Sequence, residues 1–79
     1  MRIIGNIPHA KFHISVYEWN EKTIIKLEAG PMEQVYKFPI QKIQGVEGAQ
    51  QILTDQFLEK IYNRFNDMFL DMKVAGDQI

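Results

Sequence analysis

The chain has 79 residues, no cysteine, nine Lys/Arg against ten Asp/Glu, and 46% apolar residues. That is enough for one small core and too little for two. The missing cysteines exclude disulfides, thiolate zinc sites, iron–sulfur clusters and a cysteine nucleophile. A net charge of −1 excludes nucleic-acid binding by bulk charge alone.

The charge is unevenly spread. Residues 1–46 carry six Lys/Arg and four Asp/Glu (+2), whereas residues 47–79 carry three and six (−3). The first eight residues contain one basic residue but lack the apolar stretch of ~7–15 residues that a signal peptide needs. No apolar run exceeds three residues, which excludes a transmembrane helix. The expectation is a cytoplasmic protein without membrane contact.

In chain order, residues 1–10 come first. Arg2-Ile3-Ile4 suits a short edge strand ended by Gly5 and Pro8. Alternatively, the segment folds back and lays Ile3, Ile4 and Ile7 over the sheet. Residues 11–39 read as a meander. Phe12, Ile14 and Val16 alternate with Lys11, His13, Ser15 and Tyr17, the period of a half-buried strand. Ile25, Leu27 and Ala29 alternate with Ile24, Lys26 and Glu28. Between them, Trp19-Asn20-Glu21-Lys22 forms the turn, since Asn tolerates positive φ.

A turn centred on Asn20-Glu21 pairs residues whose numbers sum to 41. It sets Phe12, Ile14 and Val16 opposite Ala29, Leu27 and Ile25. A slip of one residue would destroy the match. A second turn at Gly30-Pro31-Met32, with proline at its first corner, leads to a strand from about Glu33 to Phe38. Gln34, Tyr36 and Phe38 face the core there, and Pro39 ends the strand. Its loop holds two or four residues.

The period then changes. Residues 45–53 suit a short helical turn weakened by Gly48. Thr54 is an N-cap, with Asp55 in the first turn. Leu53, Phe57, Leu58, Ile61, Phe65, Met68, Phe69 and Met72 recur at helical steps and predict an amphipathic helix over 54–73. Residues 74–79 form a tail, with Gly76 stopping the helix or opening that tail. Leu70 projects opposite the apolar arc, as does Ile52; Leu70 is either merely exposed or a second contact point in an oligomer. The fold class is α+β: residues 1–79 make a single β-β-β-α domain, a three-stranded antiparallel meander with a possible N-terminal edge strand and the helix across one face.

Catalytic chemistry finds no footing. His9 and His13 have a zinc spacing only on a helix; along a strand they stand ~13 Å apart, and register sets His13 opposite Glu28. Asp67 and Asp71 share a helical stripe with Lys60 and Arg64, so pairing along the helix accounts for all four. Ser15, the single serine, lies on a strand rather than a nucleophile elbow. The five glycines form no phosphate-cradling motif. No catalytic residue, metal ligand or cofactor is expected.

One surface stands out. The sheet face away from the helix carries His13, Ser15, Tyr17 and Trp19, then Ile24, Lys26 and Glu28, then Glu33, Val35 and Lys37. A solvated sheet face is usually polar, whereas this one mixes two large aromatics and two aliphatics with its charges. Besides coverage by residues 1–10, two occupants fit: a second copy or another protein, or nucleic acid. For nucleic acid, Tyr17 and Trp19 would stack on bases while Lys22, Lys26 and Lys37 meet phosphates. Three strands followed by a helix, over residues 11–73, resemble in element order the plant AP2-type DNA-binding domains, whose sheet enters the major groove. Neither of the two arginines, Arg2 and Arg64, falls on the predicted sheet face, although arginine is the commonest guanine reader.

The expected function is a non-catalytic binding domain, forming a homodimer or taking another protein partner. Tyr17, Trp19, Ile24 and Val35 supply apolar contact, with Lys26, Lys37, Glu28 and His13 around them. The alternative is a single-stranded nucleic-acid or DNA-binding module using the same face.

Overall fold

The structure, a computed structural model, describes residues 1–77. Four strands, β1 (Arg2–Ile7), β2 (His13–Trp19), β3 (Lys22–Ala29) and β4 (Met32–Pro39), precede two helices, α1 (Gly45–Ile52) and α2 (Asp55–Asp77). The strands form one antiparallel sheet in the order β1-β2-β3-β4. Both helices lie on the same side of it.

The central hairpin has the register that its apolar pattern demands: Ile14 faces Leu27, Val16 faces Ile25 and His13 faces Glu28. Asn20 and Glu21 take φ of 54° and 61°, the signs of a type I′ turn whose twist matches the strands. Phe12 is an exception. It precedes the first paired residue of β2, and its ring instead stacks on His9 at 4.7 Å and tilts against Phe65 at 5.3 Å.

The β3–β4 loop has two residues, because Ala29 pairs with Met32. Gly30, at φ 60°, takes the first corner and Pro31 the second, the reverse of the expected placement. Only glycine meets the positive φ cheaply at the first corner of such a turn. The register sets Gln34 and Tyr36 opposite Leu27 and Ile25, on the core side.

The N-terminal segment is a full edge strand. It runs through Gly5, with a bulge between Ile3 and Gly5. Gly5 is required there, since a Cβ at this position would lie 2.6 Å from Val46 Cγ2 of α1. Ile4 and Ile7 pack against the core, so the reading in which residues 1–10 blanket the outer face is overturned.

Beyond Pro39 the chain turns back under backbone bonds from Ile40 N–H to Glu21 O and from Ile43 N–H to Pro39 O. The buried Thr23 hydroxyl donates to Ile43 O at 2.6 Å. This seats α1, a two-turn helix rather than a single turn, over the β1 side of the sheet. Its Ala49 is buried, and Ile52 packs against the core rather than facing away from it.

α2 begins where Thr54 Oγ1 accepts the Phe57 N–H at 3.2 Å, as the N-cap reading requires. It runs opposite to β4. Phe57 packs edge-on against Tyr36 at 5.3 Å, the Gln34 amide donates to Ile61 O at 3.1 Å, and Phe65 meets Phe12. The Tyr36 hydroxyl donates to Gln34 Oε1 at 2.8 Å and accepts from Arg64 at 3.0 Å. A chain of polar contacts therefore fixes the helix on the edge strand. The core is Phe12, Ile14, Val16, Ile25, Leu27, Ala49, Leu53, Ile61 and Phe65.

Three expectations for α2 fail. The helix continues through Asp77, so Gly76 does not stop it and residues 74–77 are not tail; residues 78 and 79 lie outside the described residues. Phe69 and Met72, placed in the core by periodicity, are exposed. Asp67 and Asp71 form no ion pair with Lys60 or Arg64 among the described residues. The common cause of the exposure is length: 23 residues span ~35 Å, and α2 passes the Ala29–Met32 end of the sheet at about Met68.

Candidate functional site

The outer face of the sheet collects the residues that the sequence assigned to it. Register stacks them in rows across the strands. Trp19 and Lys22 lie at the β2–β3 turn. Next come Ile3, Tyr17, Ile24 and Lys37, then Asn6, Ser15, Lys26 and Val35, and last His13, Glu28 and Glu33. Addition of β1 widens this face to four strands and brings Ile3 beside Tyr17, which the shorter strand reading left unresolved.

Burial divides the group. Trp19 is 51% exposed, and Ile3 and Val35 are exposed with it. His13 and Lys37 are exposed, while Tyr17, Lys26 and Glu28 are half-buried. Ile24 is only 2% exposed, so it serves as a floor rather than a contact. Around it Tyr17, Lys26, Glu33, Val35 and Lys37, with Met1 at the margin, wall a depression of about 270 Å³. That is below the range of small-molecule and cofactor sites. It is roomy enough to take an inserted side chain, the usual anchor of a protein interface.

Lys26 is held in place. Its ammonium lies 3.3 Å from Glu33 and 3.7 Å from Glu28. The hydrogen bond to Glu33, reinforced by the charges of Glu28 and Glu33, raises its pKa above the ordinary lysine value. Lys22 and Lys37 have no ion-pair partner among the described residues. Neither arginine reaches this face. Arg2 lies 3.5 Å from Glu18 in a row on the helix side, and Arg64 is spent on Tyr36.

The edges of the sheet are less inviting than the face. β1 carries its bulge with Pro8 just beyond, and β4 ends in Pro39 with Lys37 near it. These are devices that discourage edge pairing.

A second hollow, of about 450 Å³, lies between the β1–β2 loop and α2, with His9, Asp55, Glu59 and Tyr62 among its lining residues. Sequence reasoning missed it because it joins residues some 50 positions apart. Lys11 lies over the Tyr62 ring at 4.1 Å, and the Lys11 N–H donates to His9 Nδ1 at 3.1 Å. No serine, threonine or cysteine lines it. No group of three or more metal-ligating side chains occurs among the described residues. No helix among them is long and apolar enough to cross a membrane.

No family model, curated protein or solved structure matches this chain. The element-order likeness to AP2-type domains therefore gains nothing from the comparison. It also loses ground in topology, since four strands and two helices are present.

Proposed function

We propose that this chain is a non-catalytic binding domain that associates with a second copy of itself through the outer face of its sheet. The observation that carries the reading is the exposure of Trp19, Val35 and Ile3 around a shallow depression floored by Ile24. Exposed aromatic and aliphatic groups interspersed with charges fit an interface, whose anchors are typically aromatic. A standard interface hides ~800 Å² per partner, about a seventh of this chain's 5665 Å².

Nucleic acid is the weaker occupant. Lys26 is already paired and both arginines lie elsewhere, leaving Lys22 and Lys37 as the unpaired strand lysines of the face, and phosphate affinity grows with the number of cationic contacts.

The test is the mass in solution by light scattering coupled to size exclusion, at two well-separated concentrations. Wild type is expected at twice the chain's 9.3 kDa at the higher concentration. Trp19→Ala with Val35→Asp is expected at 9.3 kDa, with an unchanged helical circular dichroism signal. A wild-type mass of one chain throughout would refute self-association.

A further inference from the structure

The last turns of α2 are the least explained part of the molecule. Phe69, Leu70, Met72 and Val74 are between 47% and 60% exposed, on a helix that has run past the end of its sheet. At 100° per residue, Phe69 and Met72 continue the arc of Ile61 and Phe65, while Leu70 and Val74 point the other way. The overhang therefore exposes apolar side chains on two opposite sides, with Lys73 and Asp77 between them on one flank and Asp67 and Asp71 on the other. Together the four expose on the order of 400 Å² of side chain, divided between two sides of the helix. The same segment carries Asp67, Asp71 and Asp77 against one cation, Lys73. None of the four is in an ion pair among the described residues.

We infer that the occupant of the outer sheet face is this overhang, residues 66–77, of a second copy; the inference rests on the self-association proposed above. Three features of the two surfaces match. The overhang offers exposed apolar side chains, and the face offers a depression that can take one of them between Tyr17, Ile24 and Val35. The overhang has a net charge of −2 with unpaired aspartates, and the face presents the unpaired Lys37 at its depression and the unpaired Lys22 at the β2–β3 turn. The overhang alone is about half the ~800 Å² per partner of a standard interface, and each copy supplies both surfaces. The contact joins two different patches. Reciprocal docking closes at two copies, and one-way docking continues as a ring or chain. In both cases a copy lacking one patch retains the other.

That property supplies the experiment. Two variants are made in the full chain. The helix variant is Phe69→Asp with Leu70→Asp, and the sheet variant is Trp19→Ala with Val35→Asp. All four positions are exposed, and folding is checked by circular dichroism. Each variant alone is expected to run at 9.3 kDa. An equimolar mixture is expected to form a one-to-one complex, because one intact overhang meets one intact face.

If wild type and helix variant associate equally, the overhang is not the occupant and this inference falls, while the sheet-face reading stands. If both variants are monomeric and their mixture stays monomeric, the two patches do not meet and the inference also falls. A monomeric wild type removes the self-association reading itself. Should either variant misfold, charge reversal replaces it. Asp67→Lys with Asp71→Lys, and Lys22→Glu with Lys37→Glu, each weaken association at least tenfold. Mixing the two sets restores it, and failure of that rescue overturns the pairing.

Discussion

The approach of α1 to β1 gives the sharpest prediction about the fold. Gly5 is not among the residues with positive φ, so alanine suits its backbone, and removing glycine would by itself stabilise by up to ~1 kcal/mol through the unfolded state. The new Cβ, however, would stand 2.6 Å from Val46 Cγ2. A β-branched side chain on a helix has one strongly preferred rotamer, so the valine cannot swing aside cheaply. Overpacking of this kind costs ~1–3 kcal/mol. The net expectation for Gly5→Ala is a loss of about 1–2 kcal/mol, or roughly 5–15 °C in Tm for a domain of this size. Val46→Ala alone removes two methylene-sized groups from a partly buried site and costs ~1–2 kcal/mol. In the double variant the obstructing methyl is gone. The two losses should then fall short of additivity by at least ~1 kcal/mol. Urea unfolding of the four proteins, with an unchanged m-value, measures this coupling. A neutral Gly5→Ala, or strictly additive losses, would refute the close packing of α1 on the edge strand.

Two further outcomes follow from local geometry. Glu21 holds φ 61° at the second corner of the hairpin, a conformation costing a non-glycine residue ~1 kcal/mol. Glu21→Gly, which creates the favoured Asn-Gly pair, should raise stability by about that amount in thermal unfolding; a loss would contradict the turn. Lys26, raised above the ordinary lysine value chiefly by its bond to Glu33, stabilises the fold fully at pH below that ordinary value. The contribution disappears as pH climbs through the raised folded value. An NMR titration should place Lys26 above the exposed lysines and bring it down in Glu33→Gln, whereas an unshifted midpoint in both proteins would remove the ion pair.

The central hairpin was legible because a period of two leaves one register that buries Ile14, Val16, Ile25 and Leu27 together, whereas the same period left the length of the β3–β4 loop open. The Thr54 cap was legible for a similarly local reason. Other features depend on what the chain meets in space. Gly5 reads as a strand terminator until α1 is known to press against it. Phe69 and Met72 sit on the apolar arc, and periodicity alone cannot reveal that the sheet ends one turn earlier. Ile24 alternates outward as expected, yet its neighbours Tyr17, Lys26 and Val35 close over it. The outer face was thus visible residue by residue. Its depression, and the overhang matched to it, required the tertiary arrangement.

Under the proposed self-association a second copy covers the outer sheet face, and the molecule carries its own reporter for it. Trp19 is the single tryptophan and lies half exposed on that face. Its emission maximum should be followed over serial dilution from high micromolar to nanomolar protein, alongside the scattering mass over the concentrations that scattering reaches. Self-association through this face predicts a shift to longer wavelength as the interface opens, coincident with the fall from two chains to one. An emission maximum that stays at the solvent-exposed position at every concentration, whatever the mass does, would contradict it.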